Sequence, residues 1–401
     1  MMIASERDIY REHLDFQFSI FESLINGEHH LEVAERSRDY IQELYAPGGG
    51  LPYGAELGLS VNDLCNLTCD HCFYASTHDK SLIQREGLLT TEEWKRIINE
   101  GLEFGITHFN IVGKEPLLSP EITFLILDLL AEKNGIKYEI ITNGTLIERH
   151  IDRIKQHPDF YFFSISFDGY REFHDKIRGE GNYIKSRRGL EAISKAGIKN
   201  RTIIFTAMPE NIDSLDCMLK DLSEAGAEYA SIGFCYPTPH NRKELISKLD
   251  AYYRVIDKLQ SVPKELDITI GVLADEHANI LAELYKRGEI NITGAAVTQD
   301  LAPAIIIPLS ESPRIAISCT VLPTMFMSGY RIDCTGAALD YCNDLRRSES
   351  RNGFRNLRQH SVAEVYQKSK ELWVPYTEKY YDRLSKALKG EMVGTLDRWY
   401  N

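Results

Sequence analysis

The sequence predicts an α/β fold: a partial (β/α)6 TIM-like barrel followed by a smaller α+β C-terminal domain. Short apolar runs of strand length alternate with amphipathic helical segments through the first 240 residues, and the alternation then stops. A crossover between parallel strands lays a helix on the sheet, so this alternation indicates a parallel sheet with its chemistry at the carboxyl ends of the strands. The predicted strands are Leu57 to Val61, Phe109 to Val112, Tyr138 to Thr142, Phe162 to Phe167, Thr202 to Ala207 and Tyr229 to Phe234.

The regions on either side of the barrel show a different pattern. Residues 1–55 are predicted to be a helical extension, which Pro47 and the three glycines after it bring to an end. The barrel is assigned to residues 56–240, a helical linker region to 241–300, and the smaller domain to 301–401. Outside the barrel, helices are predicted at Arg7 to Ile25, His30 to Leu44, Lys243 to Gln260, Asp275 to Arg287, Val362 to Leu372 and Thr377 to Leu388, and short strands around Ile305 and Arg314.

Composition and charge disfavour several classes of protein. A chain of 401 residues with 43% hydrophobic residues can bury a large core. The net charge of −13 and the pI near 5.5 lack the basic footprint with which nucleic-acid binders neutralise phosphates. No signal-peptide pattern opens the chain, and no apolar run reaches the roughly 18 residues that a membrane span needs. We therefore expect a cytoplasmic protein without nucleic-acid or membrane partners.

Three of the eight cysteines lie in the loop after the first predicted strand. Cys65, Cys69 and Cys72 have the spacing C-x3-C-x2-C. Three thiolates on one loop can bind three irons of a [4Fe–4S] cluster and leave the fourth iron open to another ligand. The alternative is a structural zinc site with His71 as fourth ligand, although such sites usually take two pairs of ligands on separate turns. The spacing favours the cluster.

A second group of cysteines lies in the C-terminal region, at Cys319, Cys334 and Cys342. The pair Ser328-Gly329 predicts a hairpin turn that brings the first two together. Only three ligands are evident, and Cys235, at the end of the sixth predicted strand, is a candidate for the fourth. Cys235 could instead donate a hydrogen atom to a substrate radical, or be a small buried hydrophobe. A zinc hairpin is the alternative for the whole group.

The first cysteine motif, with His71 before its last cysteine, resembles the signature of the radical S-adenosylmethionine (SAM) superfamily, and the resemblance extends from Leu57 to Phe234. It implies that a [4Fe–4S] cluster on Cys65, Cys69 and Cys72 binds SAM through its open iron, and that His71 contacts this cofactor. One electron then splits the sulfonium bond and generates a 5′-deoxyadenosyl radical. The protein supplies orientation and a dry site.

Three further segments resemble SAM-binding elements of that superfamily. The segment Val112-Gly113-Lys114-Glu115-Pro116 is similar to its Gly-Gly-Glu-Pro element, which implies that the backbone and Glu115 receive the SAM amino group, with Lys114 in place of the second glycine. Thr142-Asn143-Gly144 implies that Asn143 meets the ribose or the substrate. The residues Ser166, Asp168 and Arg178 lie in the third segment, which implies a bidentate contact from Arg178, together with the strand serine, to the SAM carboxylate.

The C-terminal cysteines resemble the SPASM/twitch extension that many radical SAM enzymes carry. No run of further cysteines follows Cys342, so the resemblance is to the smaller twitch form with one auxiliary iron–sulfur cluster of the [4Fe–4S] type at Cys319, Cys334 and Cys342. A redox-active auxiliary cluster suits net two-electron oxidation, because it can accept the second electron.

These resemblances imply an enzyme that abstracts a substrate hydrogen and oxidises, cross-links or epimerises a small molecule or peptide in natural-product maturation. Its partners would include an electron donor of the flavodoxin or ferredoxin type. The alternative within the class is a ribosomal-peptide maturase that forms a thioether or C–C cross-link. The roughly 50 residues before the barrel are short for a leader-binding domain, which favours a small-molecule substrate or a separately encoded recognition protein. The alternative from another class is a non-catalytic scaffold with two zinc sites.

Overall fold

The computed structural model describes residues 4–44, 46–47, 55–72, 87–236, 242–274, 277–290, 304–323, 329–339 and 356–393. Two helices, α1 (Ala4–Ile25) and α2 (His30–Leu44), precede the first strand. Strands and helices then alternate as β1 (Ala55–Ser60), α3 (Thr91–Phe104), β2 (Ile106–Val112), α4 (Pro120–Ala131), β3 (Lys137–Thr142), α5 (Ile147–Ile154), β4 (Phe162–Ser166), α6 (Glu172–Arg178), α7 (Asn182–Lys195), β5 (Arg201–Ala207), α8 (Leu215–Glu224) and β6 (Tyr229–Phe234).

All six predicted strands are therefore confirmed, as are the two N-terminal helices. The remaining described elements are α9 (Leu249–Gln260), β7 (Thr269–Leu273), α10 (Ala278–Lys286), β8 (Ile305–Glu311), β9 (Arg314–Cys319), β10 (Gly329–Ile332), β11 (Ala338–Leu339) and α11 (Val362–Leu388). Local sequence explains the ends of individual helices. In α3, Thr90 and Glu93 form a reciprocal capping box, and Gly105 ends the helix with a φ of 94°.

The strands form one eleven-stranded sheet in the order β11-β10-β1-β2-β3-β4-β5-β6-β7-β9-β8. The nine strands from β10 to β9 are parallel, and the antiparallel strands β11 and β8 form the two edges. The described sheet thus matches the predicted α/β class and is an open, partial barrel. The strands between residues 301 and 339 join this same sheet, at both of its ends.

One face of the sheet, here called the outer face, packs against helices. Gly101 of α3 lies against Leu57 and Phe109, which places these two side chains on that face. Alternate residues of the other strands share it and are fully buried, as the two-residue period of a strand requires. Examples are Ile140, Phe163, Ile203, Ile232, Ile270 and Ile317. The opposite, inner face of the sheet is mostly polar.

Strand β7 and the C-terminal helix differ from what the sequence predicts. Strand β7 was not expected, because its five residues with an internal Gly271 carry a weak strand signal within a mostly helical region. The two predicted C-terminal helices are the single helix α11, which continues through Pro375. Packing outweighs the lost hydrogen bond there, since α11 contacts α2 and Tyr381 bonds Ser37 at 2.6 Å.

The predicted hairpin around Ser328-Gly329 is wrong. Gly329 begins β10, which pairs in parallel with β1 and not with β9. Both sides of β9 are already taken by β7 and β8, so it has no free edge to offer β10. The antiparallel hairpin in this part of the chain is instead β8 with β9. None of the described helices has the length and apolar character to span a bilayer.

Candidate active site

The cysteine loop follows β1 at the carboxyl edge of the sheet. Cys72 donates its backbone N–H to the carbonyl of Cys69 (3.1 Å), and the N–H of Leu67 points to Cys65 Sγ (3.4 Å). None of the three cysteines is in a disulfide bond; Cys69 is buried and the others are half-buried. Burial raises the pKa of Cys65, and it raises the pKa of Cys69 to about 12. The thiols of Cys65 and Cys69 are therefore protonated, and ligation has to displace their protons.

The donor set fits an iron–sulfur cluster. Thiolates are the usual ligands of such clusters, and each of three cysteines on one loop can bind a different iron. In the part of the chain that the structure describes, no three His, Cys, Asp or Glu side chains are arranged to hold a single metal ion. His71, proposed above as a zinc ligand or a cofactor contact, directs its Nε2 to Asp168 at 3.3 Å.

Glu115 connects the ends of β2 and β3. Its carboxylate is fully buried and accepts three hydrogen bonds, from Leu117 N (3.0 Å), Thr142 Oγ1 (2.7 Å) and Asn143 N (2.8 Å). Burial raises the pKa of Glu115, although these donors favour the ionised form. The carboxylate thus fixes the turn after β3. Its role toward the SAM amino group stays a prediction.

Asn143 links this turn to the cysteine loop. Its Nδ2 donates to Asn66 Oδ1 (3.0 Å) and lies 3.9 Å from Cys65 Sγ. Its Oδ1 accepts from the backbone and the hydroxyl of Thr145, and Thr145 Oγ1 in turn accepts from Asn66 Nδ2 (2.8 Å). Sequence reasoning missed Asn66 and Thr145. The available signal was their position, since Asn66 follows Cys65 and Thr145 follows the Thr142-Asn143-Gly144 segment.

Asp168 and Arg178 form a buried ion pair beside the cysteine loop. Arg178 Nε donates to Asp168 Oδ2, and Thr206 N approaches Oδ1 at 3.3 Å. Burial alone would raise the pKa of Asp168, but Arg178, His71 and His174 hold it below its ordinary value. Among the described residues Arg178 bonds only through Nε, so the terminal nitrogens of its guanidinium fork can still meet a bound carboxylate. That contact stays a prediction.

His174 supports this ion pair from α6. It is buried, and its Nδ1 accepts the backbone N–H of Asp168 at 3.3 Å. Burial, together with the positive charge of Arg178, lowers the pKa of His174 from 6.5 to about 3. The imidazole is therefore neutral at physiological pH.

Because the folded pKa of His174 lies below the unfolded value, its contribution to stability is complete above pH 6.5 and declines as the pH falls toward 3. One proton taken up on unfolding corresponds to a slope of about 1.4 kcal/mol per pH unit. Between pH 4 and 6, the free energy of unfolding measured with urea is expected to depend less steeply on pH in His174→Asn, by the contribution of about one proton. Asparagine retains an acceptor for the backbone N–H of Asp168. Equal slopes in the two proteins would contradict the assignment.

The remaining predicted contacts lie close by. Gly113 follows β2 with a φ of 134°, and a Cβ there would meet Asn62 O at 3.1 Å. Burial lowers the pKa of Lys114, while Asp63 and the nearby cysteines, Cys334 among them, oppose this shift. Ser166 ends β4 on the inner face and is half-buried.

The two described cysteines of the second group follow strands near opposite ends of the sheet. Cys319 ends β9 and is fully buried on the outer face, whereas Cys334 follows β10, beside β1. The Cys334 carbonyl accepts from Leu89 N (2.8 Å), and burial raises the pKa of its thiol. Cys342 lies outside the described residues. An auxiliary cluster on these cysteines stays a prediction.

Cys235 follows β6 and is buried in a small apolar cluster with Ile177, Met208 and Leu245. Its backbone N–H donates to the carbonyl of Ala207 (3.0 Å). Such surroundings are typical of a buried cysteine that packs as a small hydrophobe. The roles of cluster ligand and hydrogen-atom donor stay predictions.

Comparison with known proteins agrees with this geometry. Residues 59–222 match the family described as Radical SAM superfamily, from the end of β1 through β5 and most of α8. This segment contains the cysteine loop, Glu115, Asn143 and Arg178. This segment of the chain is thus similar to the radical SAM superfamily, as the motifs predicted.

Individual relatives match parts of the chain. Fe-coproporphyrin III synthase of Methanosarcina barkeri is 34% identical over 40% of this chain and 39% of its own. Mycofactocin maturase MftC of Mycolicibacterium smegmatis is 32% identical over 38% of this chain and 37% of its own. The chain thus spans less than half the length of these two curated relatives. The solved structure of native anSMEcpe with bound AdoMet has a TM-score of 0.54 at 17% identity, over 80% of this chain and 83% of that chain, which shows a shared fold.

Proposed function

We propose that the protein is a radical SAM enzyme that abstracts hydrogen from a small molecule or peptide. The observation that carries this proposal is the meeting of three elements at one edge of the sheet: the three-cysteine loop, the turn held by Glu115, and the Asp168–Arg178 pair. When bound together, a [4Fe–4S] cluster and SAM would supply reductive cleavage to a 5′-deoxyadenosyl radical.

The residues of the chain orient and shield the reactants in this proposal. Cys65, Cys69 and Cys72 hold the cluster, and Asn143 fixes the distance between their loop and the turn after β3. Arg178 presents its terminal nitrogens to the SAM carboxylate, with Asp168 holding the guanidinium in place. AdoMet bound to anSMEcpe, which shares the fold, supports the assignment of SAM.

The substrate is proposed as a small molecule or a peptide, which the enzyme oxidises, cross-links or epimerises. The partial match to Fe-coproporphyrin III synthase supports the small-molecule branch, and the fold shared with anSMEcpe, which was solved with bound Cp18Cys peptide, supports the peptide branch. An auxiliary [4Fe–4S] cluster that accepts the second electron, and a flavodoxin- or ferredoxin-type donor of the first, complete the proposed system.

Anaerobic reconstitution with iron and sulfide, followed by iron counting and an assay of 5′-deoxyadenosine with dithionite, tests the proposal. We expect SAM cleavage and about four irons per chain with one cluster, or about eight with an auxiliary cluster. A colourless protein that retains zinc and forms no deoxyadenosine would exclude the enzyme and leave the zinc scaffold.

A further inference from the structure

The inner face of the sheet encloses open space in front of β6 and β7. Among the described residues, a Cβ built on Gly233 would meet no atom within 4 Å, and one on Gly271 would meet only Ala230 O at 3.9 Å. Closed (β/α)8 barrels fill this position with bulky branched side chains. Here the inner face carries small or hydroxyl-bearing residues instead, among them Ser164, Thr202, Ser231 and Ala316. Such a lining leaves room for a polar ligand.

Strands β1 to β3 place a polar group on the same inner face. The strand register pairs Glu56 with His108, and Asn110 with Glu139. His108 and Asn110 are two residues apart on β2 and so share a face, which places all four side chains on the inner face. His108 lies between the two carboxylates, with Nε2 at 2.8 Å from Glu139 and Nδ1 at 4.0 Å from Glu56. The side chain of Glu139 is 13% exposed, whereas Glu56, His108 and Asn110 are buried. Glu139 is thus the member of the group most accessible to a ligand.

Two buried acceptor atoms in this group have no hydrogen-bond donor among the described residues. They are Glu56 Oε1 and Asn110 Oδ1, on side chains of residues that are each only 4% exposed. A buried acceptor without a donor costs about 1–3 kcal/mol, so such atoms generally have a partner in the working protein. The missing partner must therefore donate hydrogen bonds, and an acceptor-only group such as a carboxylate or phosphate does not fit.

The charges nearby are consistent with a donor ligand. Arg331 of β10 lies over Gly58, where a Cβ would be 3.2 Å from its Cγ and Nε, and its charge reaches Glu56. Arg331 balances one of the two carboxylates of Glu56 and Glu139. The pKa of His108 is raised despite its burial, because Glu139 and Glu56 flank the ring, while Lys137 opposes this shift. An ammonium that bonds the two carboxylates would replace the proton of His108, so the group can bind it without a gain in buried charge.

We propose that the inner face of β1 to β3 binds the ammonium group of an amine-bearing substrate. This inference rests on the proposed function and names the chemistry of its substrate. An ammonium has three donors and no acceptor, which suits Glu56, Asn110 and Glu139. Glu139 precedes Asn143 by four residues, or about 13 Å of strand. The amine therefore lies roughly that far from the cysteine edge, which fits a small amino compound or a lysine side chain of a peptide.

Calorimetric titration with n-pentylamine, n-pentanol and pentanoate tests this site on the full-length, oxidised protein without SAM. We expect pentylamine to bind in the millimolar range and the alcohol and the acid to bind at least tenfold more weakly. Glu139→Gln is expected to weaken pentylamine binding about 10–100-fold, because a charge-assisted hydrogen bond is lost. Glu132→Gln, at the exposed end of α4, serves as the matched control and should bind as wild type. Deuterium exchange should show protection of β2 and β3 by pentylamine.

Pentylamine binding unchanged by Glu139→Gln, pentanol binding as tightly as pentylamine, or no binding to the wild type would each overturn the inference. Asn110→Ser, which shortens an acceptor while remaining polar, provides a second variant if Glu139→Gln does not fold. SAM cleavage by the reconstituted enzyme is measured separately, so loss of that activity with retained amine binding would refute only the proposed function. A lysine-containing pentapeptide and free 1,5-diaminopentane distinguish the peptide from the small-molecule source of the amine.

Discussion

Replacing Cys65, Cys69 and Cys72 together by alanine is expected to reduce SAM cleavage to background and to remove about four irons per chain. Each thiol occupies its own position on one loop, and no other described cysteine lies on that loop to replace it. Iron counting, absorbance near 400 nm and deoxyadenosine formation under dithionite measure the outcome. Retained cleavage by the triple variant would reject this loop as the cluster site.

Cys217→Ala is the matched control, because this cysteine lies exposed on α8, away from the loop. It should retain both iron and cleavage. Cys334→Ala separates the auxiliary cluster from the first: loss of iron with SAM cleavage preserved would support an auxiliary site that includes Cys334. Loss of cleavage together with all iron would instead indicate that Cys334, which lies near Lys114, supports the first cluster.

Asp168→Ala is expected to lower the free energy of unfolding by about 3–5 kcal/mol, because it leaves the largely buried Arg178 without its counter-charge. Asp168→Asn should cost less, since its single amide oxygen can still accept from Arg178, although the bond from Thr206 N to the other carboxylate oxygen is lost. Urea unfolding of the protein before reconstitution measures both. The double variant Asp168→Ala/Arg178→Met removes the unpaired charge and should regain part of the loss.

The catalytic consequence separates this pair from a purely structural ion pair. If Asp168 orients Arg178 toward the SAM carboxylate, Asp168→Asn should raise the KM for SAM more than it lowers the rate at saturating SAM. An unchanged KM for SAM in a stably folded Asp168→Asn would show that the pair only stabilises the fold. Asp175→Asn, on the same helix, is the control, because its carboxylate bonds the N–H groups of Gly181 and Tyr183 and not Arg178.

Much of the barrel could be predicted because its signals are local. Each strand from β1 to β6 is a short apolar run, and its alternation with helices fixes the parallel order that the structure shows. The site segments could be placed for the same reason, since carboxyl ends of neighbouring parallel strands meet at one edge. Asn143 accordingly connects Glu115 with Cys65.

The errors concern contacts that depend on distant parts of the chain. Gly329 looked like a turn, but its Cα lies against the backbone of Glu56, where no side chain fits, and this decides that β10 pairs with β1. Helix α11 passes through Pro375 because residues more than 300 positions earlier hold it, such as Arg38, which bonds Thr377 at 2.7 Å. Asn66 and Thr145 were missed because their bond spans 79 residues.

The contact between α2 and α11 also constrains the order in which the helices can dock during synthesis of the chain. Ser37 and Tyr381 are 344 residues apart, and Gln17 bonds Thr320 and Val321 in the same way. Helix α2 therefore lacks its partner helix until α11 has emerged, whereas the contacts of α1 with Tyr285 and Thr320 can form earlier. Closing such long loops is slow and comes late in folding. A nascent chain that stops before residue 362 should thus hold a formed barrel core with α2 still accessible to protease.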